Sequence, residues 1–104
     1  MSFERWGYEF DGAFIDPGDL KSIPGVYVIL CVTMKDFFVL DVGQAEDVED
    51  RCQNHDRFNC WENNCNYYGI IYFSAHYMPG SSEKSRRLVE TLIRVKTNPP
   101  CGER

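Results

Sequence analysis

At 104 residues and a formal net charge of −5, the chain has room for one domain and lacks the overall basic footprint of a typical polyanion binder. Its hydrophobic content of 43% suits a globular fold, and no apolar run approaches the roughly 20 residues of a membrane-spanning helix. The N-terminal MSFERWGYEF holds acidic residues and no apolar signal core, so a cytoplasmic location is expected.

The five cysteines, Cys31, Cys52, Cys60, Cys65 and Cys101, are an odd set without a regular framework, which reads as reduced thiols rather than a disulfide scaffold. Cys52, His55, Cys60 and Cys65 offer four zinc-type ligands. Their spacing is not the paired C-x-x-C kind, and the aromatic surroundings favour buried thiols instead.

In chain order, residues 1–24 read as an irregular aromatic lead-in, with Trp6, Tyr8, Phe10, Phe14 and Ile15 punctuated by Gly12, Pro17, Gly18 and Pro24. Gly25 to Thr33 is β-branched and apolar, the pattern of a strand buried on both faces, and Phe37 to Val42 is a second such run. The short Met34-Lys35-Asp36 link makes the two an antiparallel hairpin. Ala45 to Asp56 predicts a short amphipathic helix through Val48 and Cys52, with early carboxylates suited to its N-terminus. Phe58 to Asn66 reads as a connection anchored by Phe58 and Trp61, and Tyr68 to Tyr77 as a third strand. Ser81 or Ser82 caps a last helix running to about Lys96, with Leu88, Leu92 and Val95 as one stripe and Val89 and Ile93 beside it. Asn98-Pro99-Pro100 ends it. The expected fold is α/β of the α+β type: one three-stranded antiparallel sheet flanked by helices, in a single domain over 1–104 with its motif-bearing core at 25–100.

The chemistry concentrates on Gly25-Val26-Tyr27 at the start of the first strand, Asp41-Val42-Gly43 at the end of the second, Arg51 and His55 one helical turn apart, and Glu90 within the last helix. This ordered set resembles the GIY-YIG nuclease superfamily, with GVY and DVG for its two signatures and VGQAEDVEDRCQNH for its Gly, Arg and His spacing. The resemblance implies a metal-dependent endonuclease acting on DNA. Glu90 would hold a divalent ion (Mg²⁺ or Mn²⁺), Arg51 would clamp the phosphate, Tyr27 would be a candidate general base and His55 an accessory polar group. Mg²⁺ prefers oxygen ligands, and a guanidinium meets phosphate charge with a planar fork of donors.

Two positions depart from the family pattern. Asp41 stands where the second signature has a tyrosine, as a substitute base or added ligand, and Gly102 stands where an asparagine often follows the proline turn. These changes and the acidic balance support a second expectation, a catalytically degenerate fold kept as a protein- or nucleic-acid-binding module. Structural readings also attach to each residue: Tyr27 as a core aromatic, Arg51 paired with Asp47, Glu90 in an ion-pair ladder with Arg86 and Arg94, and His55 capping a helix end.

Overall fold

The computed structural model describes residues 1–65 and 69–102. Among them the strands are β1 (Ser2–Arg5), β2 (Tyr8–Phe14), β3 (Gly25–Val32), β4 (Phe37–Ala45) and β5 (Ile70–Tyr77), and the helices α1 (Val48–Gln53), α2 (Phe58–Cys65) and α3 (Glu83–Thr97), with a 3-10 turn at Pro17–Asp19. The fold is α+β, but its antiparallel sheet has five strands in the order β1-β2-β5-β3-β4, not three.

The additional strands lie in the segment expected to be irregular. Trp6 and Gly7 both take positive φ (54° and 87°), the geometry of a tight two-residue hairpin turn, and join β1 to β2. Strand β2 then pairs with β5 from Asp11↔Ala75 to Phe14↔Phe73. The lead-in is thus part of the sheet.

Strand β3 lies between β4 and β5, as its unbroken apolar run requires. Its side chains alternate between two cores. Val26, Val28 and Leu30 join Phe10, Val39, Val42, Val89 and Ile93 on the α3 face. Tyr27, Ile29 and Cys31 join Leu40, Val48, Cys52, Trp61, Phe73 and Cys101 on the face carrying α1 and α2. Each fully buried aliphatic contributes about 1.5–3 kcal/mol, so β3 is the sheet's energetic centre. A register shift between Ile29 and Leu30 lets Asp41 oppose Ile29 while Val39 opposes Leu30.

The helices differ from expectation in three respects. Strand β4 continues through Ala45, so α1 starts at Val48, where Asp47 caps it by accepting from the Asp50 N–H at 3.0 Å. The Phe58–Cys65 segment, read as a connection, is helical and buries Trp61 and Cys65. In α3, capped by Ser82, the buried face is Arg86, Val89 and Ile93, whereas Leu88 (62%), Leu92 (45%) and Val95 (78%) are exposed. The buried Arg86 gives its guanidinium to Gln44 Oε1 (2.9 Å) and to the Ser81 carbonyl (2.8 Å), which lets a charged residue occupy the inner stripe. The expected start of β5 at Tyr68 lies outside the described residues.

Four of the five cysteines are paired, correcting the expectation of free thiols. Cys31 is bonded to Cys65 and Cys60 to Cys101, leaving Cys52 buried and unpaired, its thiol pushed up to about 12 by burial. The possible zinc quartet is therefore dispersed, since Cys60 and Cys65 are committed to different disulfides. No helix among the described residues is long and apolar enough to cross a membrane.

Candidate functional site

A cleft of about 270 Å³ opens along β4 at Gly43 and Gln44 and is lined by Tyr27, Arg51, Arg57, Arg87, Glu90 and Arg94. Tyr27 comes from the central strand, Arg51 from α1 and Glu90 from α3, so three residues singled out from the sequence meet on one surface. Four arginines against one glutamate give the lining itself a positive excess, with Arg51 also paired to Asp56, Arg57 and Arg94 to the buried Asp41, and Arg87 to Glu83 outside it.

Tyr27 is almost wholly buried (1% exposed) and pairs across the sheet with Gly43. A Cβ built on Gly43 would overlap the Tyr27 phenol, so only glycine lets the ring lie flat across β4. The phenol oxygen is 2.5 Å from Nε2 of His55, which is buried beneath the cleft and is not in its lining. Nδ1 of His55 accepts the Arg57 backbone N–H at 3.1 Å. In the neutral ring the proton is therefore on Nε2, which donates to Tyr27 and leaves the phenol's own hydrogen to be directed elsewhere. Burial, then the charges of Arg51 and Arg57, lowers the His55 pKa to about 4, and burial raises that of Tyr27 above its ordinary value. Both groups are thus neutral near pH 7, and Tyr27 is a hydrogen-bond donor.

Arg51 is paired with Asp56 at 2.9 Å, with its side chain 37% exposed, rather than with Asp47, whose carboxylate caps α1 and accepts from Ser22 at 2.6 Å. Glu90, 18% exposed, has Arg94 Nε at 3.4 Å, and Arg86 is turned away toward Gln44. The expected ion-pair ladder is thus present on one side only.

Asp41 occupies a different place from the one its sequence position suggested. It is completely buried, and it is the acceptor for three side chains, one from the turn before α2, one from α2 and one from α3. Its Oδ2 takes Arg57 Nε at 2.7 Å and the Trp61 indole N–H at 2.8 Å, and its Oδ1 takes Arg94 Nη2 at 2.6 Å. Arg94 also donates to the carbonyls of Cys101 (3.1 Å) and Val42. Asp41 is not in the cleft lining; from below it fixes two of the arginines that are. This arrangement also accounts for Gly102 (φ 96°): a side chain there would overlap Arg94 Nη2 and stand 2.7 Å from Asp41 Oδ1.

Arg57, Arg87 and Arg94 were not identified from the sequence. Arg57 follows a turn with no motif around it, and its role depends on Asp41, 16 residues away. An excess of arginine over lysine in an acidic chain is the one signal that points to them, because arginine is the cation suited to bidentate phosphate recognition.

Among the described residues no three His, Cys, Asp or Glu side chains gather as a ready-made metal cage. Glu90 alone supplies a carboxylate to the cleft among those residues. That donor set fits an ion such as Mg²⁺, which keeps several waters and takes one or two carboxylates completed by substrate phosphate. Comparison with family models, curated proteins and solved structures gives no match for this chain, so the reading of the site rests on its own residues.

Proposed function

We propose that the chain is a metal-dependent phosphodiesterase of the GIY-YIG type that cuts DNA. The observation that carries this reading is the meeting of Tyr27, Arg51 and Glu90 in one cationic cleft, from elements 24 and 39 residues apart in sequence. The order β4-β3-β5, with the GVY strand in the centre, supports it as well.

Glu90 would hold the divalent ion, which supplies Lewis-acid polarisation of the phosphoryl oxygen and readies a water. Arg51 and Arg57 present guanidinium donors to the phosphate, and Arg94, held by Asp41, meets charge as it builds on the oxygens. Tyr27, a neutral donor, gives its hydroxyl hydrogen to a non-bridging phosphate oxygen, and the attacking water passes its proton to solvent. Burial raises its pKa and the charges of Arg57 and Arg51 offset that only in part, so in this setting the phenol acts as a donor. His55 positions the phenol from behind.

The test is cleavage of single-stranded, nicked, branched and duplex DNA with Mg²⁺ or Mn²⁺. Glu90→Gln and Arg51→Ala should each lower turnover by about a hundredfold or more. If no substrate is cut faster than by Glu90→Ala, the enzyme reading is wrong. A second reading, a degenerate fold that binds protein or nucleic acid without cutting it, is favoured by the burial of Asp41 where a second tyrosine is expected. Metal-dependent turnover abolished by Arg51→Ala would end that reading.

A further inference from the structure

Beside the cationic cleft lies a second concavity of about 450 Å³, and the two share Arg87, Glu90 and Arg94. The second continues along α3 to Thr91, Val95, Asn98 and Pro99. Its character changes along the helix, from guanidinium groups at the shared wall to the exposed Val95 and the ring of Pro99. From Glu90 to Val95 the helix rises roughly 7 Å, which extends the groove past a phosphate by the depth of further ligand.

We infer that this concavity receives the sugar and unpaired base of the nucleotide whose phosphate the arginines hold. The inference rests on the phosphodiester reading of the cleft and adds the class of substrate. Guanidinium planes stack on nucleobases, and apolar side chains pack against their faces. Thr91 adds a hydroxyl to the lining, suited to a base edge or sugar. A base still stacked in a duplex does not enter a groove of this kind without unpairing, so the preferred ligand is a nucleotide at a single-stranded end, flap or gap. A second copy of the chain is the poorer occupant: a twofold α3-to-α3 contact would gather Arg87 and Arg94 of both copies along one seam.

The experiment titrates the full chain with inorganic phosphate, deoxyribose 5-phosphate and a nucleoside 5′-monophosphate. The monophosphate should bind about tenfold more tightly than deoxyribose phosphate, the worth of one base contact. Val95→Asn, neutral and exposed, should remove that advantage and leave the affinity for deoxyribose phosphate unchanged. Leu88→Asn, on the exposed helix face outside both concavities, should change neither. Equal binding of the two ligands, with both held, overturns the nucleoside subsite and leaves the cationic cleft standing. Failure of all three ligands to bind removes the cleft reading and this one with it. A dimer in sedimentation that Val95→Asn disperses, with nucleotide affinity unaltered, assigns the groove to a second copy and also overturns the inference.

Discussion

Replacing Asp41 with alanine should destabilise the protein more than any change on the surface, for a reason that can be worked from its surroundings. The carboxylate is fully buried and accepts from Arg57, Arg94 and Trp61. Removing it strands two cations and an indole N–H. Taking one partner from a buried ion pair costs about 3–5 kcal/mol. Arg57, 27% exposed, recovers some hydration, whereas Arg94, 13% exposed, recovers little, which places the expected loss near the lower half of that range. For a domain of this size each kcal/mol moves the midpoint by roughly 4–8 °C, so thermal unfolding should shift by about 12 °C or more. Asp41→Asn keeps the shape and one acceptor oxygen, but it loses the charge and turns an amide NH2 toward the donors on the other side, and should lose nearly as much. Trp61→Phe, which removes one neutral donor, should cost only about 1 kcal/mol from that hydrogen bond. Paired urea and thermal melts read all three. If Asp41→Asn stays within about 1 kcal/mol of the parent, the carboxylate is not the ionic anchor described above.

Gly43→Ala should leave the sheet paired yet drive the Tyr27 phenol off His55, weakening phosphate binding more than stability; equal phosphate affinity in the two proteins would contradict the packing of Tyr27 on Gly43. His55 takes up a proton near pH 6.5 when unfolded but only near 4 when folded, so the stability carried by its neutral ring is full above about pH 6.5 and is lost as pH falls toward 4. That loss is at most about 3 kcal/mol, and His55→Gln should flatten the slope of unfolding free energy against pH over this window; an unchanged slope refutes it. Denaturing the unreduced chain should expose one labelable thiol, that of Cys52, against five after reduction. Cys101→Ser should lower stability by about 4 kcal/mol in the chain-entropy picture for its 41-residue separation. Five reactive thiols before reduction would exclude both bridges.

The hairpin of β3 and β4 was legible because its residues are β-branched and apolar on both faces, a pattern no amphipathic helix shares. The first hairpin was not, because its turn places a tryptophan at positive φ, where turn signals look for glycine or asparagine. Helix α2 was hidden by its composition: Asn59, Asn63 and Asn64 are poor helix formers, and the segment is held by Trp61 on Asp41 and by two disulfides, contacts far away in sequence. In α3 both apolar stripes were legible but not which of them faces inward, since the inner one includes an arginine. The site follows the same division. Tyr27, Arg51 and Glu90 stood in a recognisable order, whereas Arg57, Arg87 and Arg94 join them only through the way α2, α3 and the final turn fold back on β4.

The crowding at Gly102 has an evolutionary consequence. The Arg94 guanidinium reaches Asp41 through space that a side chain at position 102 would take, so residues 41, 94 and 102 form one unit of change. A tyrosine at 41 would take from Arg94 the nearer of its two carboxylates, leaving only Glu90 at 3.4 Å, and a side chain at 102 would push Arg94 out of its seat. Neither step is tolerable alone. Positions 41 and 102 should therefore vary together, each change making room for the other.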